Sequence, residues 1–293
     1  MTAPVPPLVH VDTGVRPITA AEFRTFQGLI HATAGIWLGD GKQALVTSRV
    51  ARRVRELGLT TFSAYLERVT GEADGAERAR LIEALCTHET QFFREPEQFE
   101  YLEGSLIPAW VQDAQAGLRS RALHLWSAAC SSGEEAYSLA MSLLAHLPPA
   151  PVWDVEILAT DLSARILRQA RSGIWPIVRA AKIPPAYLRR FMRRGRGEQA
   201  GQFAAGPELR HVIRFAQVNL HEGPYPVEPR FDAIFCRNVL IYFEPEGRQR
   251  AHHHLVDRLV PGGELFLGHA ETLQGGTDLV TRVRPTIYRR IAP

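Results

Sequence analysis

The sequence predicts an α/β fold: a largely parallel sheet with helices on both faces, a small antiparallel insertion within it, and an all-helical domain ahead of it. Three observations predict this. Residues 18–90 carry apolar side chains at helical spacing. From about residue 97 the rhythm changes to short apolar strands alternating with helices, the pattern of a parallel sheet. At 122–135 an apolar strand ending in Trp126 runs through Ser127-Ala-Ala-Cys-Ser-Ser-Gly133 into a helix that opens with Glu134 and Glu135. A strand, a tight turn and a helix N-terminus form the usual cradle for a nucleotide-like ligand.

The elements follow in order. Residues 1–17 hold four prolines and no charged-then-apolar layout, so a disordered tail is expected there, not a secretory signal. Thr19 and Glu22 make a capping box for a first helix, whose Phe23, Phe26, Leu29 and Ile30 share a face. Gly39-Asp-Gly41 interrupts the pattern. A second helix is expected over 42–57, stopped by Gly58, a third over 62–69 and a fourth over 78–87. The α/β domain, 91–293, then offers strands at 123–127, 155–159, 231–236, 264–268 and 286–290. Its helices fall at 134–146, 164–172 and 246–259. Residues 190–217 break the alternation with four glycines and short strand-like pieces. They read as a small antiparallel β-subdomain inserted into the sheet domain.

Composition narrows the class. The 293 residues suffice for one large or two smaller domains, and 45% hydrophobic content supports a proper core. No apolar run approaches the roughly 18 residues of a membrane span. Cys86, Cys130 and Cys236 are widely separated and odd in number, so neither a disulfide framework nor a zinc spacing follows, and a reduced, cytoplasmic setting fits. A formal charge of +3 permits an acidic partner without pointing to nucleic acid. His252, His253 and His254 are consecutive helical positions that point about 100° apart, so no metal site is expected from them.

The ligand is narrowed by charge. Two carboxylates at a helix mouth repel phosphate but suit a ligand with hydroxyls and a positive centre, as in S-adenosylmethionine. Four motifs occur in order: His88-Glu-Thr-Gln-Phe-Phe-Arg94, Trp126 to Glu135, Ala159-Thr-Asp161, and Phe231-Asp-Ala-Ile-Phe-Cys-Arg-Asn-Val-Leu-Ile-Tyr-Phe243. Together they resemble the chemotaxis protein-glutamate O-methyltransferases, the CheR family, over residues 18–289. The resemblance implies a Rossmann-like S-adenosylmethionine-dependent methyltransferase domain. It would form glutamate methyl esters on the cytoplasmic helices of chemoreceptors, releasing S-adenosylhomocysteine.

Site residues follow from the same resemblance. Asp161, about 28 residues after Gly133 at a strand end, is placed to take the ribose diol, or else to cap the following helix. Glu135 resembles the family glutamate that contacts the cofactor, while Glu134 is open to a helix-dipole role. Thr90 and Arg94 lie four apart and would share a face of a helical turn. There Arg94 would fork onto the methionine carboxylate, or else pair with Glu97 at the surface. His88 stands where Asn is expected in relatives. Asn219 and Leu220 resemble the segment beside adenine, with a plain strand end as the alternative for Asn219. Cys236, Arg237 and Asn238 end the next strand against the pocket. Arg94, Arg237 and Tyr242 are the candidates for guiding the incoming carboxylate, with a core aromatic as the other reading of Tyr242. His269 in Gly268-His-Ala-Glu271 matches a strand-end motif without a readable role.

For partners, Arg49, Arg52 and Arg53 form an i, i+3, i+4 basic helix face that would dock beside glutamate-rich receptor helices, or else simply face solvent. The inserted β-subdomain resembles the one that grips a receptor C-terminal peptide by strand addition. A monomer is expected, without membrane insertion. Two other classes remain: a nucleic-acid methyltransferase, against which stands the lack of an aromatic and basic stacking platform, and a relative that binds cofactor or receptor without turnover.

Overall fold

The computed structural model describes residues 15–71, 75–149 and 151–291. The tail expected at 1–17 lies mostly outside the described residues. The chain divides into two compact units between Thr87 and His88.

The first unit is helical, with α1 (Ala20–Ala34), α2 (Gln43–Glu56), α3 (Phe62–Thr70) and α4 (Gly75–Leu85). The capping box forms as expected: Glu22 N–H donates to Thr19 Oγ1 at 3.2 Å, and Thr19 N–H donates to Glu22 Oε2 at 2.8 Å. The fourth helix begins three residues before the expected start and ends at Leu85. Phe26, Val50, Phe62, Tyr65 and Val69 are fully buried, with the Phe26 and Phe62 rings edge-on at 6.3 Å. The unit also buries two carboxylates. Glu77 receives a two-pronged Arg53 fork at 2.7 Å on each oxygen, plus Arg80 and the Tyr65 hydroxyl. Glu22 receives Arg16, Thr19 and Ser63.

That arrangement corrects the basic docking face. Arg53 turns inward to Glu77, and Arg49 donates to the carbonyls of Leu85 and Cys86 at the end of α4. Of the three arginines only Arg52 is fully at the surface, with its side chain 82% exposed beside Glu56. A helical wheel places residues on a face; it does not show that a second helix lies against that face.

The second unit opens with α5 (Pro96–Tyr101), a π-helical turn (Leu102–Leu106) and α6 (Ile107–Gln115). Then come β1 (Ala122–Ala128), α7 (Glu134–His146), β2 (Asp154–Asp161), α8 (Ala164–Ser172), β3 (Ile174–Pro176), α9 (Pro185–Phe191), β4 (Met192–Arg194), β5 (Gln202–Ala205), α10 (Pro207–His211) and β6 (Ile213–Gln217). The chain finishes with β7 (Phe231–Cys236), α11 (Pro245–Asp257), β8 (Leu259–Leu267), β9 (Val280–Arg284) and β10 (Ile287–Arg290).

Seven strands form one sheet in the order β6-β2-β1-β7-β8-β10-β9. The first five are parallel, and β10 runs antiparallel to both β8 and β9. The period-2 alternation of side chains builds a core on each face. Leu125, Ile157, Ala233 and Phe235 join one cluster. Trp126, Leu158, Ile234 and Cys236 join the other. Successive strands run outward to one side of β1 (β2, β6) and then to the other (β7, β8). The reversal lies between β1 and β7, and ligands bind such sheets outside the carboxyl ends of the strands at that point.

Two differences from the sequence reading concern strands. The three-stranded antiparallel sheet, in order β3-β5-β4, begins at Ile174, and β6 (Ile213–Gln217) belongs to the large sheet beside β2. The insertion therefore spans 174–205 instead of 190–217. Ile174-Trp-Pro176 is too short to show a period, and its Trp175 is what anchors it, 1% exposed. Strand β9 was also unforeseen. It is an edge strand carrying Arg282 and Arg284, the charge that protects an exposed edge and hides the strand pattern.

Candidate active site

The loop from β1 to α7 is the centre of the site. Ala129, Ser131 and Gly133 all have positive φ (68°, 51° and 95°). A Cβ on Gly133 would lie 3.1 Å from that of Ala170, so the glycine serves both the turn and close packing on α8. Asp161, at the end of β2, pins this loop: its Oδ2 accepts from Ser131 N–H at 2.9 Å and its Oδ1 from Ser163 N–H at 3.0 Å. The cap of α8 is Ser163, whose Oγ accepts from Ile166 N–H. Burial pushes the Asp161 carboxyl up, although the Ser163 and Ser131 N–H groups and nearby His88 pull the other way. Each carboxylate oxygen has two lone pairs, so the group can also accept from hydroxyl donors.

Glu135 accepts from Ser127 Oγ at 2.6 Å and faces Arg237 at 3.3 Å. Burial raises its carboxyl in spite of the arginine. Glu134 points elsewhere. Its side chain is 1% exposed and accepts from Ser132 Oγ at 2.6 Å and from Arg179 at 3.3 Å.

The 88–94 motif is not the helical turn the sequence reading expected. It is an extended segment closed by a bend, with positive φ at Phe93 (49°) and Glu95 (58°). Phe92 anchors it, edge-on to the Trp175 ring at 5.0 Å. Three carbonyls of the segment are held from three directions. Ser131 Oγ donates to His88 O at 3.0 Å, Arg179 to Thr90 O at 2.6 Å, and Arg237 to Arg94 O. Thr90 and Arg94 therefore do not share a helix face. The Arg94 guanidinium folds back on Glu89 O at 3.2 Å, while Glu97 pairs with His269.

Arg237, at the end of β7, has its side chain 1% exposed between two carboxylates, Glu95 at 3.1 Å and Glu135 at 3.3 Å. Its guanidinium lies 5.7 Å from the Phe99 ring centre. Burial raises the Glu95 carboxyl, but Arg237, His269 N–H and Asn238 outweigh it and hold the group below its ordinary value. Asn238 has φ 57° and donates its side-chain amide to Glu95 at 3.2 Å. Cys236 is fully buried, which pushes its thiol well up, and the same holds for Cys130. Tyr242 sits in a short helical turn (Leu240–Tyr242), 36% exposed between buried Leu240 and Phe243, so it is not a core aromatic.

Asn219 and Leu220 follow β6, next to β2: Val218 N–H donates to Asp161 O at 3.2 Å. The Asn219 amide closes a turn, accepting from His221 N–H at 3.1 Å and donating to Glu222 at 2.9 Å. Leu220 is 7% exposed.

The structure thus gathers Asp161, Glu135, Arg237 and Asn238 at the carboxyl ends of β2, β1 and β7, with the His88–Arg94 segment bonded across them. Glu135 and Glu95 beside Arg237, with Asp161 near them, form an acidic set matched to a ligand with hydroxyls and a cationic centre. Sequence reasoning missed Glu95 and Arg179, and it assigned Glu271 no role. Glu95 follows the motif directly, yet only its left-handed backbone turns it onto Arg237. Arg179 lies in the insertion, 89 residues from its Thr90 partner.

Residues 88–289 match the model of the CheR methyltransferase SAM binding domain, and residues 21–86 match that of the CheR methyltransferase all-alpha domain. The chain is similar to the chemotaxis protein methyltransferase of Escherichia coli K12, 39% identical over 272 residues, covering 92% of this chain and 91% of that protein. Salmonella typhimurium chemotaxis protein methyltransferase is 38% identical over 255 residues, 87% of this chain and 84% of that protein. Pseudomonas aeruginosa chemotaxis protein methyltransferase 2 is 36% identical, covering 92% and 93%. A two-domain match at these identities, on a parallel sheet whose acidic loops suit S-adenosylmethionine, shows that the chain belongs to the CheR methyltransferase family.

Proposed function

We propose that this protein transfers a methyl group from S-adenosylmethionine to glutamate side chains in the cytoplasmic region of chemoreceptors, forming methyl esters in the cytoplasm. The convergence of Asp161, Glu135, Arg237 and Asn238 at the β1/β7 switch point carries the reading. The cofactor supplies an activated methyl on a sulfonium. Asp161 is the residue for its ribose hydroxyls, Glu135 for its ammonium group and Arg94 for its carboxylate, with His88 and Thr90 on the same segment. Asn219 and Leu220 line the adenine side, while Cys236 is buried in the core behind Arg237 and Asn238.

Glutamate is a fitting acceptor because the carboxylate, with a reference pKa near roughly 4.3, needs no base at neutral pH. The protein's task is to desolvate and align that carboxylate, and alignment supplies on the order of 7–11 kcal/mol. Arg237 is spoken for by Glu95 and Glu135. It therefore shapes the pocket wall and offsets its acids, and Tyr242 at the exposed lip is the group for the incoming carboxylate. The receptor docks through Arg52 and neighbouring exposed groups and not through the whole arginine triplet. A receptor C-terminal peptide adds to an edge of the small sheet, where β3 and β4 flank β5.

The test is transfer of labelled methyl from S-adenosylmethionine to chemoreceptor cytoplasmic fragments, followed by mild alkali. Label released as methanol identifies a carboxyl methyl ester. Cofactor binding with no label on several receptors would rule the reading out in favour of another substrate or of a binder without turnover.

A further inference from the structure

Glu271 has no function in the site as described, yet it is one of its most heavily engaged groups. It follows β8, is 4% exposed, and accepts four backbone N–H groups. Gly268 and Asn238 donate to its Oε2, both at 2.7 Å. Leu240 and Ile241 donate to its Oε1, at 2.9 and 3.3 Å. Three of the four donors lie in the loop after β7, between Arg237 and Tyr242.

A buried carboxylate satisfied by peptide dipoles is strongly held, because hydrogen bonds to an ionised acceptor are about twice as strong as neutral ones. It also holds its donors. Asn238 at φ 57° is in a region that costs an ordinary residue energy, and such a conformation persists only where neighbours over-determine it. Gly268, one of the donors, adds a steric constraint. A Cβ there would lie 2.8 Å from Asn238 N and 2.8 Å from Glu271 Oε2, so the end of β8 presses directly on the loop. Arg237 is held separately, by Glu95 and Glu135.

We propose that Glu271 is a positioning residue for methyl transfer: its carboxylate fixes the 238–242 loop, and with it Asn238 and Tyr242, on the acceptor side of the site. This rests on the functional reading above. It predicts a split between steps. Loosening the loop misplaces the acceptor side while the cofactor contacts at Asp161, Glu135 and Arg94 stay intact.

The experiment compares the unaltered protein with Glu271→Gln and Gly268→Ala. The first is isosteric but turns an amide NH2 toward N–H donors; the second leaves the charge and intrudes on the loop. Cofactor affinity is measured by calorimetry, kcat and KM with a receptor fragment, and amide exchange at Asn238, Leu240 and Ile241. A misplacement of about 1 Å costs up to roughly a hundredfold in rate, so kcat is expected to fall roughly tenfold to a hundredfold in both variants. Amide protection should fall with it, and cofactor affinity should change less than about threefold, under roughly 1 kcal/mol. Unchanged kcat in Glu271→Gln overturns the role, as does a parallel loss of cofactor affinity. No transfer by the unaltered protein overturns the functional reading and this role together; transfer by it with equally active variants overturns the role alone.

Discussion

Two buried acids of the helical unit, Glu22 and Glu77, and two of the methyltransferase site, Glu135 and Asp161, have opposite electrostatic fates. Glu22 and Glu77 are wrapped by partners. Burial works against Glu22, but Ser63, Thr19 and Arg16 prevail and hold it at about 2. The Arg53 fork is the main cause that holds Glu77 at about 2, helped by Arg80 and Tyr65 against burial. Glu135 and Asp161 are also buried, yet burial wins and both carboxyls are pushed up. The first pair has all the compensation it needs within the fold. The second is left short of it, as expected where a ligand completes the set. Buried charge is therefore a structural device at Glu22 and Glu77 and a binding device at Glu135 and Asp161.

Charge removal separates the two most sharply. Glu77→Ala leaves the Tyr65 hydroxyl without its partner and Arg53 with Glu56 alone, and breaking a pair at so buried a carboxylate costs about 3 kcal/mol. Urea unfolding followed by helical circular dichroism should show it, with cofactor affinity of the folded protein unchanged. Glu135→Gln should do the reverse. It keeps the Ser127 hydrogen bond, leaves Arg237 paired with Glu95 and removes a desolvated charge, so the loss of stability should be smaller than for Glu77→Ala, about 1 kcal/mol. Cofactor affinity should fall about tenfold, the equivalent of one charge-assisted hydrogen bond. If both substitutions act mainly on stability, the contrast between the units fails.

Acid should separate the units next. For Glu22 and Glu77 the folded value, about 2, lies below the ordinary 4.5. Their stabilisation is thus fully present above about pH 4.5 and lost as pH falls toward 2. Glu135 and Asp161 run the other way. With folded values raised, they take up protons before an unfolded carboxyl would, so acid neutralises the site first. Calorimetry from pH 7 downward should show cofactor affinity falling while helical content is still intact. Simultaneous loss would mean that the site acids are as well compensated as Glu77.

The smallest effect is at the surface. Arg52→Glu should leave stability within about 0.5 kcal/mol, as for an exposed substitution away from special features. Arg53→Glu should instead destabilise the helical unit, as Glu77→Ala does. A slower receptor methylation rate in Arg52→Glu, at unchanged cofactor affinity, would mark Arg52 as the docking contact left from the triplet. An unchanged rate would return it to plain surface.

Much of this was legible in the residues. The capping box at Thr19, the helix Glu134–His146 and the strand Phe231–Cys236 are local patterns, governed by periodicity and capping. The order of the four motifs pointed to the correct family and cofactor. What was not legible has a common cause. Arg53 reaching Glu77, Glu95 turning onto Arg237 and Glu271 gathering the 238–241 amides span 24, 142 and 30 to 33 residues along the chain. The short strand at Trp175 carries no period at all. Sequence alone determined the fold class, the family and the cofactor, because these depend on local patterns that repeat or recur in order. Only the tertiary structure decided which charges pair, that the 88–94 segment is bent and not helical, and which arginines face water, because those depend on partners distant in the chain and on backbone angles that no side-chain pattern records.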